Sequence, residues 1–411
     1  MARVSQAYEH NKPTNSTTWC RVVTFCAILF FTLVIASQLS TLVTSDQASI
    51  LPGAKRLNVL TWNVAAINNN PFEYWITNDD PSYNLLMKNV SNFIEQPGSY
   101  DIPVKDIFSD KMFEELAEKM TKAGWKGVNE TRTYWNNDYK NRKIISEFIK
   151  DNMLGKKRLA SMPDRVTNTI HTSTDDIIMR PTVINCYNGD LSTINKWWIR
   201  WLDFYFVQPV SINKDGKPTT TFIYNMITDI KKSKYPDITE QEAAISKPLQ
   251  TLAIAIFDSI LIHMMNTINT TKWQYLRNDI CLKLNLKKND RTIEILEKTY
   301  NYIDIQFLQE VAGNFLKYTN KYELSKIYNI IQSNTMNPER DQNSFILLKN
   351  NKFIDIIELT EKIIENYENN NKNKEKKKLP IMNGDLLVIA ATDKSDGVKY
   401  LLASFHGDTN G

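Results

Sequence analysis

The sequence predicts an α+β protein, in which two β-rich segments are separated by a long and mostly helical stretch. The first β-rich segment is the apolar run at 57–64, and the second begins near Tyr302 and continues to the end of the chain. Between them, residues 68–289 carry apolar side chains at helical spacing. An apolar segment at 22–45 adds one N-terminal membrane helix to this prediction.

Length, composition and charge describe an ordinary globular chain. The 411 residues allow two or three domains, and a content of 42% hydrophobic and 23% charged residues is typical of proteins that bury a core. The formal net charge of +4 is small and dispersed, whereas binding to nucleic-acid phosphates requires a concentrated basic face. Charge therefore gives no argument for nucleic-acid binding and identifies no partner.

Residues 22–45 contain no charged side chain. About 20 apolar residues span the hydrocarbon core of a bilayer, so we predict a transmembrane anchor here that contacts lipid. Arg3, Lys12 and Arg21 precede it, and the positive-inside bias places the tail of residues 1–21 in the cytoplasm. The globular part is then expected in the lumen or outside the cell.

A cleaved signal peptide is the alternative interpretation of the same segment. Small residues around 36–40 and at 48–49 offer processing positions, which would make the protein secreted. Either interpretation takes the globular part into a secretory compartment. Asn89, Asn129 and Asn269 begin acceptor sequons that such a compartment glycosylates.

Two cysteines, Cys186 and Cys281, fall in the globular part. One disulfide and two buried free thiols both fit, and the spacing matches no metal-binding motif. The sequence leaves their pairing open.

The stretch at 68–289 is interpreted as a large helical insertion. The apolar run at 252–265 is expected to be a buried helix rather than a second membrane span, because Asp258 and His263 lie near its middle. The aromatic cluster at 196–206 favours packing between insertion and core over base stacking or a membrane interface. His171 lacks a second His at ligand spacing, which favours a solvated loop or a helix cap.

The second β-rich segment contains helices, strands and one polar tract. Helices are predicted at 291–301, after a capping Asp290, and within 315–332. The residues at 366–379 are rich in Asn, Lys and Glu and are predicted to form a disordered loop. Two strands, at 385–392 and 398–405, form a hairpin through the turn signal Asp396-Gly397.

Polar side chains close two of the predicted strands. Asn63 ends the strand at 57–63, and Glu310 ends the strand at 302–310. Amide and carboxylate oxygens are ligands that magnesium accepts, with water and a substrate phosphate completing its shell. Each residue taken alone also suits a turn, a cap or a solvated position.

The segments Thr61-Trp62-Asn63 and Leu308-Gln309-Glu310 resemble the strand ends that hold the catalytic metal in the endonuclease/exonuclease/phosphatase superfamily. The segment 341–353 is similar to a further strand and basic turn of that family. The segment 400–406 is similar to the strand that ends in its first active-site His. The resemblance implies that Asn63 and Glu310 bind Mg2+ or Mn2+, and that His406 is a catalytic residue that contacts the scissile phosphate.

The resemblance covers about 57–67 and 291–411, which correspond to the first half of the family fold. It implies a partial β-sandwich flanked by helices, with an incomplete phosphoesterase-like domain at 55–67 and 290–411 and the insertion at 68–289. The tetrapeptide at 407–410 is similar to the family's Gly-Asp-x-Asn motif, but it follows the His-bearing strand without the helix and strand that the family places between them. We therefore expect a truncated and catalytically incomplete chain.

The function that the resemblance implies is hydrolysis of a phosphoester by a metal-dependent, membrane-anchored phosphodiesterase, nuclease or phosphatase. Its substrate class would be a nucleic acid, a phospholipid or a phosphorylated small molecule. The family's water-activating Asp and second His have no assigned counterpart in the sequence. The alternative is a non-catalytic, membrane-anchored binding or scaffolding protein in which the insertion is the working part.

Overall fold

The computed structural model describes residues 56–174, 176–336, 340, 342–370, 379 and 381–407. The predicted tail at 1–21 and membrane segment at 22–45 lie outside the described residues. The protein is mixed α+β, as predicted. The described residues divide into two compact units: a helical unit, Asn68–Lys288, and a sheet unit formed by residues 56–67 together with those of 289–407.

The chain begins in the sheet unit with strand β1 (Val59–Asn63) and then builds the helical unit from helices and two short hairpins. The helices are α1 (Pro81–Glu95), α2 (Asp110–Lys122), α3 (Val128–Asn137), α4 (Asn152–Lys156), α5 (Ser161–Thr167), α6 (Ile194–Phe206), α7 (Glu240–Ala244), α8 (Ser246–Ile268) and α9 (Trp273–Cys281). The hairpins pair β2 (Thr169–His171) with β3 (Ile177–Met179) and β4 (Pro209–Lys214) with β5 (Lys217–Phe222). Single turns of 3-10 helix at Gly98–Tyr100, Val104–Asp106, Tyr139–Asn141 and Ile223–Met226, and of π-helix at Ile144–Ile149 and Leu282–Leu286, connect these elements.

Several helix starts in this unit follow local capping chemistry. Asp80 accepts the Ser82 backbone N–H at 2.8 Å at the start of α1, where Pro81 lacks an N–H that would need a partner. At α7, Thr239 and Glu242 form a reciprocal capping box. These ends are therefore set by neighbouring residues in the sequence.

Helix α8 forms the centre of the helical unit. It is the one helix among the described residues that is long and apolar enough to cross a membrane, and 72% of its most apolar window is buried inside the protein. The expectation of a buried helix is confirmed. The tryptophans of α6 are also buried, and they pack inside the core of the helical unit. His263 is half-buried beside Phe93, and burial lowers its pKa.

A buried ionic network joins α8 to the segment after β3. Asp258 and Arg180 are both 0% exposed, and the guanidinium Nε donates to the carboxylate at 2.8 Å. Thr182 and Trp201 donate to the same carboxylate at 2.6 and 2.9 Å. Burial disfavours the Arg180 charge, yet the attraction of Asp258 and Asp164 raises its pKa above the ordinary value. The network therefore pairs both oxygens of the buried Asp258 carboxylate with hydrogen-bond donors.

Cys186 and Cys281 form a disulfide, with their Cα atoms 5.6 Å apart. The bridge ties the segment after β3 to the last residue of α9. The structure thus decides between the two alternatives that the sequence left open.

The sheet unit continues with α10 (Lys288–Lys298), β6 (Ile305–Val311), α11 (Phe315–Thr319), α12 (Leu324–Ile327), β7 (Tyr328–Gln332), β8 (Asn343–Lys349), β9 (Phe353–Glu358), α13 (Thr360–Asn370), β10 (Leu386–Asp393) and β11 (Lys399–Phe405). One sheet has the order β1-β6-β8-β7, in which β1 and β6 are parallel and the other pairs antiparallel. The other sheet is antiparallel, with the order β11-β10-β9.

Apolar side chains cover both faces of the four-stranded sheet. On one face, Leu308 and Leu347 pack with Ile293 of α10 and with residues of α11 and α12. On the other face, Ile346 packs with Leu387 and other residues of the three-stranded sheet. The sheet unit therefore has a helical layer and two sheet layers, and the candidate site residues come from strands of both sheets.

Three local predictions were wrong. The helix expected within 315–332 ends at Ile327, because the following β-branched residues pair with β8 as strand β7. The prediction of a disordered loop at 366–379 was wrong for 366–370, because these residues belong to α13. The start of this helix is anchored to β10, because the Thr360 hydroxyl accepts a hydrogen bond from the Val388 N–H at 3.0 Å. Residues 371–378 lie outside the described chain. Helix α10 begins at Lys288, so Asp290 lies in its first turn and is not its cap.

Candidate functional site

The parallel pairing of β1 with β6 brings two strand ends together. Asn63 stands opposite Gln309 in the register, and Glu310 follows directly. Because parallel strands point their carboxyl ends to the same edge, the ends of these strands meet. The Asn63 Nδ2 donates to Glu310 Oε1 at 3.1 Å, across a sequence separation of 247 residues.

The backbone at Glu310 departs from regular strand geometry. Its φ is +57°, and the register between β6 and β8 shifts between Leu308 and Val311. Strict alternation would place the Glu310 side chain on the same face as Leu308, which packs against the helices. The irregularity instead lets its carboxylate contact Asn63. Bulges of this kind re-aim side chains next to functional sites.

The chain after β1 also turns around the carboxylate. Ala65 has a φ of +58°, and its N–H donates to Asn63 Oδ1 at 2.8 Å. The Ala66 N–H donates to Glu310 Oε2 at 2.7 Å. The turn therefore holds both predicted metal ligands through backbone donors.

His406 joins this pair from the second sheet. It follows β11, and its Nε2 donates to Glu310 Oε1 at 3.0 Å. Its backbone N–H donates to the carbonyl oxygen of Asp385 at 2.9 Å, which fixes the end of the hairpin. The side chains of His406 and Glu310 are 26% and 21% exposed, so both remain accessible to a solute.

The pKa of Glu310 is lowered from its ordinary value. Burial by itself would raise this pKa, but hydrogen bonds from the Ala66 N–H and from Asn63 outweigh it, and His406 adds a favourable interaction. The carboxylate is therefore ionised at neutral pH, which is the state that a cation requires.

The donor chemistry of the pair suits a hard divalent cation. Glu310 Oε2 accepts one hydrogen bond and Asn63 Oδ1 accepts one, so each oxygen keeps a second acceptor position. Magnesium commonly uses one or two protein oxygens and completes its shell with water and phosphate. Within the described ranges, no group of three or more His, Cys, Asp and Glu side chains gathers around a common point. Asn63 and Glu310 bring two side chains with oxygen donors to this edge of the sheet.

A layer of polar side chains under the site was not anticipated. Gln309 donates to the hydroxyls of Ser404 and Thr61, at 3.1 and 3.4 Å. The sequence signal was available, because Ser404 stands two residues before His406 on a strand whose alternate residues are apolar.

The other residues singled out from the sequence lie in the helical unit. His171 ends β2 and is exposed, so it belongs to a strand end and not to a loop or a helix cap. The aromatic residues of α6 donate their indole N–H groups within the unit, for example from Trp198 to Glu115 at 2.7 Å. The cluster packs inside the core of the helical unit, so the prediction that it packs between the insertion and the core was wrong.

The helical unit also contains a cavity of about 270 Å³. Its charged lining is paired internally: Arg142 binds Asp138 and Asp151, and Lys157 binds Glu242 at 2.7 Å. Because these charges satisfy one another, the cavity indicates no class of ligand.

Comparison with known proteins adds one match. A family model described as a domain of unknown function (DUF8234) matches residues 101–278, which lie inside the helical unit and make up less than half of the chain. No curated protein matches the chain. The match does not include Asn63, Glu310 or His406.

Proposed function

We propose that the sheet unit is a metal-dependent phosphoesterase domain of the endonuclease/exonuclease/phosphatase type, built as a partial β-sandwich. The observation that supports the proposal is the convergence of Asn63, Glu310 and His406 at one edge of the unit. These residues were selected from three separate segments of the sequence by resemblance. Residues that merely close turns in unrelated segments have no reason to meet within hydrogen-bond distance.

Each residue of the site has a role in this proposal. Glu310 and Asn63 hold Mg2+ or Mn2+ through oxygen atoms. A divalent cation held there would supply positive charge that polarises the phosphoryl oxygens and balances the charge that develops between the attacking water and the leaving group. In the free protein, the His406 Nε2–H donates a hydrogen bond to Glu310. When substrate binds, the same N–H donates to a phosphate oxygen instead.

The proposal assigns no residue to the activation of water. Among the described residues, Glu310 is the acidic side chain that His406 contacts, and it is already committed to the metal. We therefore expect this chain to bind the metal and a phosphate group and to hydrolyse phosphoesters slowly. A nucleic acid, a phospholipid and a phosphorylated small molecule all remain candidate substrates.

Binding of Mn2+ to the full chain tests this function, because free Mn2+ is quantified by its paramagnetic resonance signal. We expect one site that Glu310→Ala abolishes and that Asn63→Ala weakens. Glu323→Gln is the matched control, because this glutamate belongs to the same unit and is exposed. Equal Mn2+ binding by the wild type and Glu310→Ala would contradict the proposal. A panel of phosphodiester and phosphomonoester substrates then identifies the substrate class.

We also propose that the globular part is exposed to a secretory or extracellular compartment. The disulfide between Cys186 and Cys281 supports this, because such bonds persist in oxidising compartments. A single-pass anchor at 22–45 with a cytoplasmic N-terminus agrees with it, and secretion after signal cleavage is the alternative. Protease protection of the full chain in membrane vesicles distinguishes lumenal from cytoplasmic exposure.

A second candidate function is a membrane-anchored binding or scaffolding protein. The observation that favours it is that the helical unit has a large core of its own and carries the family match at 101–278. In that case, ligand or partner binding would survive Glu310→Ala and Asn63→Ala. Loss of binding in either variant would favour the phosphoesterase.

A further inference from the structure

Gln309 links the strand that ends at His406 to the strands that hold the proposed metal ligands. Its side-chain amide donates to the Ser404 hydroxyl at 3.1 Å and to the Thr61 hydroxyl at 3.4 Å. Ser404 lies two residues before His406, and Gln309 lies directly before Glu310. The contact thus joins β6 and β11 directly beneath the candidate site.

The pairing of the strands leaves this junction without a backbone ladder. Strand β6 pairs with β1 and β8, whereas β11 pairs with β10 in the other sheet. Ladder hydrogen bonds therefore fix Asn63 relative to Glu310 but do not fix His406 relative to Glu310. Apolar contacts between the sheets are non-directional. Two main-chain contacts outside the ladders contribute, because the Ser344 N–H donates to the Gly384 carbonyl oxygen at 2.7 Å and the His406 N–H donates to that of Asp385 at 2.9 Å. Side-chain contacts between β6 and β11 add direct and directional links beside His406 and Glu310.

Ser404 is suited to transmit such a constraint. It is 1% exposed, and its hydroxyl accepts from Gln309 and donates to the Leu308 carbonyl oxygen at 3.3 Å. Both hydrogen-bonding capacities of the hydroxyl are engaged with β6, so the group has a defined orientation.

The chemistry of the link requires an amide at position 309. An amide nitrogen carries two hydrogens and serves both hydroxyls. A glutamate there would lack these donors and would add negative charge next to Glu310. A methionine would keep the length of the side chain and lose the hydrogen bonds.

We propose that Gln309 is a positioning residue that holds His406 against Glu310 through Ser404, and thereby sets the geometry in which His406 contacts a metal-bound phosphate. This inference rests on the proposed function. Gln309 acts through Ser404 and contacts neither the metal nor the phosphate.

Binding of inorganic phosphate to the Mn2+-loaded full chain tests the inference, with paramagnetic broadening of the phosphorus resonance as the signal. We expect Gln309→Met and Ser404→Ala each to weaken phosphate binding about tenfold, the lower end of the range for residues that orient a ligand from outside its contact shell. The double variant should bind phosphate as the single variants do, because both remove the same link. Gln332→Met, the same substitution on β7 of the same sheet, is the control and should bind phosphate as the wild type does.

A second measurement separates positioning from general stability. In a His406→Ala background, Gln309→Met should cause no further loss of phosphate affinity. In the absence of phosphate, Gln309→Met should change the Mn2+ affinity less than twofold. The inference would be overturned if Gln309→Met and Ser404→Ala both bound phosphate as tightly as the wild type. It would also be overturned if Gln309→Met weakened phosphate binding as much in the His406→Ala background as in the wild type. A wild type that binds Mn2+ but no phosphate would overturn it too. A wild type that binds no Mn2+, or a Glu310→Ala variant that binds it equally well, overturns the proposed function and this inference with it.

Discussion

Removal of the Cys186–Cys281 disulfide is expected to destabilise the helical unit by several kcal/mol. The bridge closes a loop with a sequence separation of 95. In the chain-entropy account, closing a loop of this length removes about 16 cal/mol/K of conformational entropy from the unfolded chain. This corresponds to a stabilisation of the folded state by about 4.7 kcal/mol at 25 °C. Strain in the folded state and residual structure in the unfolded state reduce this figure, so we expect a measured loss of about 3–5 kcal/mol.

Urea unfolding of the full chain, followed by tryptophan emission, measures this loss. The emission reports mainly on the helical unit, which contains seven of the nine tryptophans. The Cys186→Ala/Cys281→Ala variant lacks both sulfur atoms, and Cys281 is 4% exposed, so the variant also leaves a small void. The reduced wild type keeps the sulfur atoms without the bridge and is the control that separates the two effects.

A loss below about 1 kcal/mol in both the variant and the reduced wild type would refute the entropic argument. Alkylation of two thiols in the protein purified under oxidising conditions would refute the bridge itself. The second outcome would also remove the support that the disulfide gives to a secretory location.

Three further predictions concern other parts of the molecule. Asp258→Asn should cost about 3 kcal/mol of unfolding free energy, because the buried Arg180 then loses its buried charged partner and keeps the partly exposed Asp164. A loss below about 1 kcal/mol in urea unfolding, with exposed Glu114→Gln as the control, would contradict this. Since hydrogen bonds lower the pKa of Glu310 in the folded state, its ionisation contributes stability above its ordinary pKa of 4.5, and this contribution is lost as the pH falls through the folded value. The stability difference between the wild type and Glu310→Gln should therefore be complete at pH 7 and fade below pH 4.5; a difference that does not change with pH would disagree. Leu401 is 67% exposed on the edge strand β11, and an exposed apolar edge strand favours association with other chains. Leu401→Lys should therefore reduce any concentration-dependent association that light scattering detects. Association that is unchanged in this variant would exclude the β11 edge as its cause.

The irregular backbone at Glu310 illustrates a limit of sequence analysis. Strand periodicity predicts that residues 308 and 310 share a face of the sheet, and Leu308 does pack against the helices. The resemblance selected Glu310 as a candidate metal ligand without explaining how it reaches Asn63. The positive φ and the shifted register supply the explanation, and both depend on the pairing of β6 with a distant strand.

Local chemistry made several elements predictable. The hairpin of β10 and β11 follows from two mostly apolar runs and from the Asp396-Gly397 turn between them, where Gly397 has a φ of +71°. The buried helix α8 follows from its apolar composition and from the polar residues near its middle. Strand β7 was mistaken for a helix because Ile327, Ile330 and Ile331 have helical spacing. Pairing with β8 overrides that pattern and places Ile330 and Ile331 on opposite faces of the sheet.

The sequence by itself determined which polar residues stand at the ends of strands, because a strand end and its polar side chain are specified by a few adjacent residues. The resemblance then selected Asn63, Glu310 and His406 among them as candidate site residues. Only the tertiary structure decided that they meet, that Cys186 pairs with Cys281, and that Gln309 reaches Ser404. Contacts between residues about 95 to 250 positions apart depend on how sheets and helices pack, and no local pattern encodes that packing.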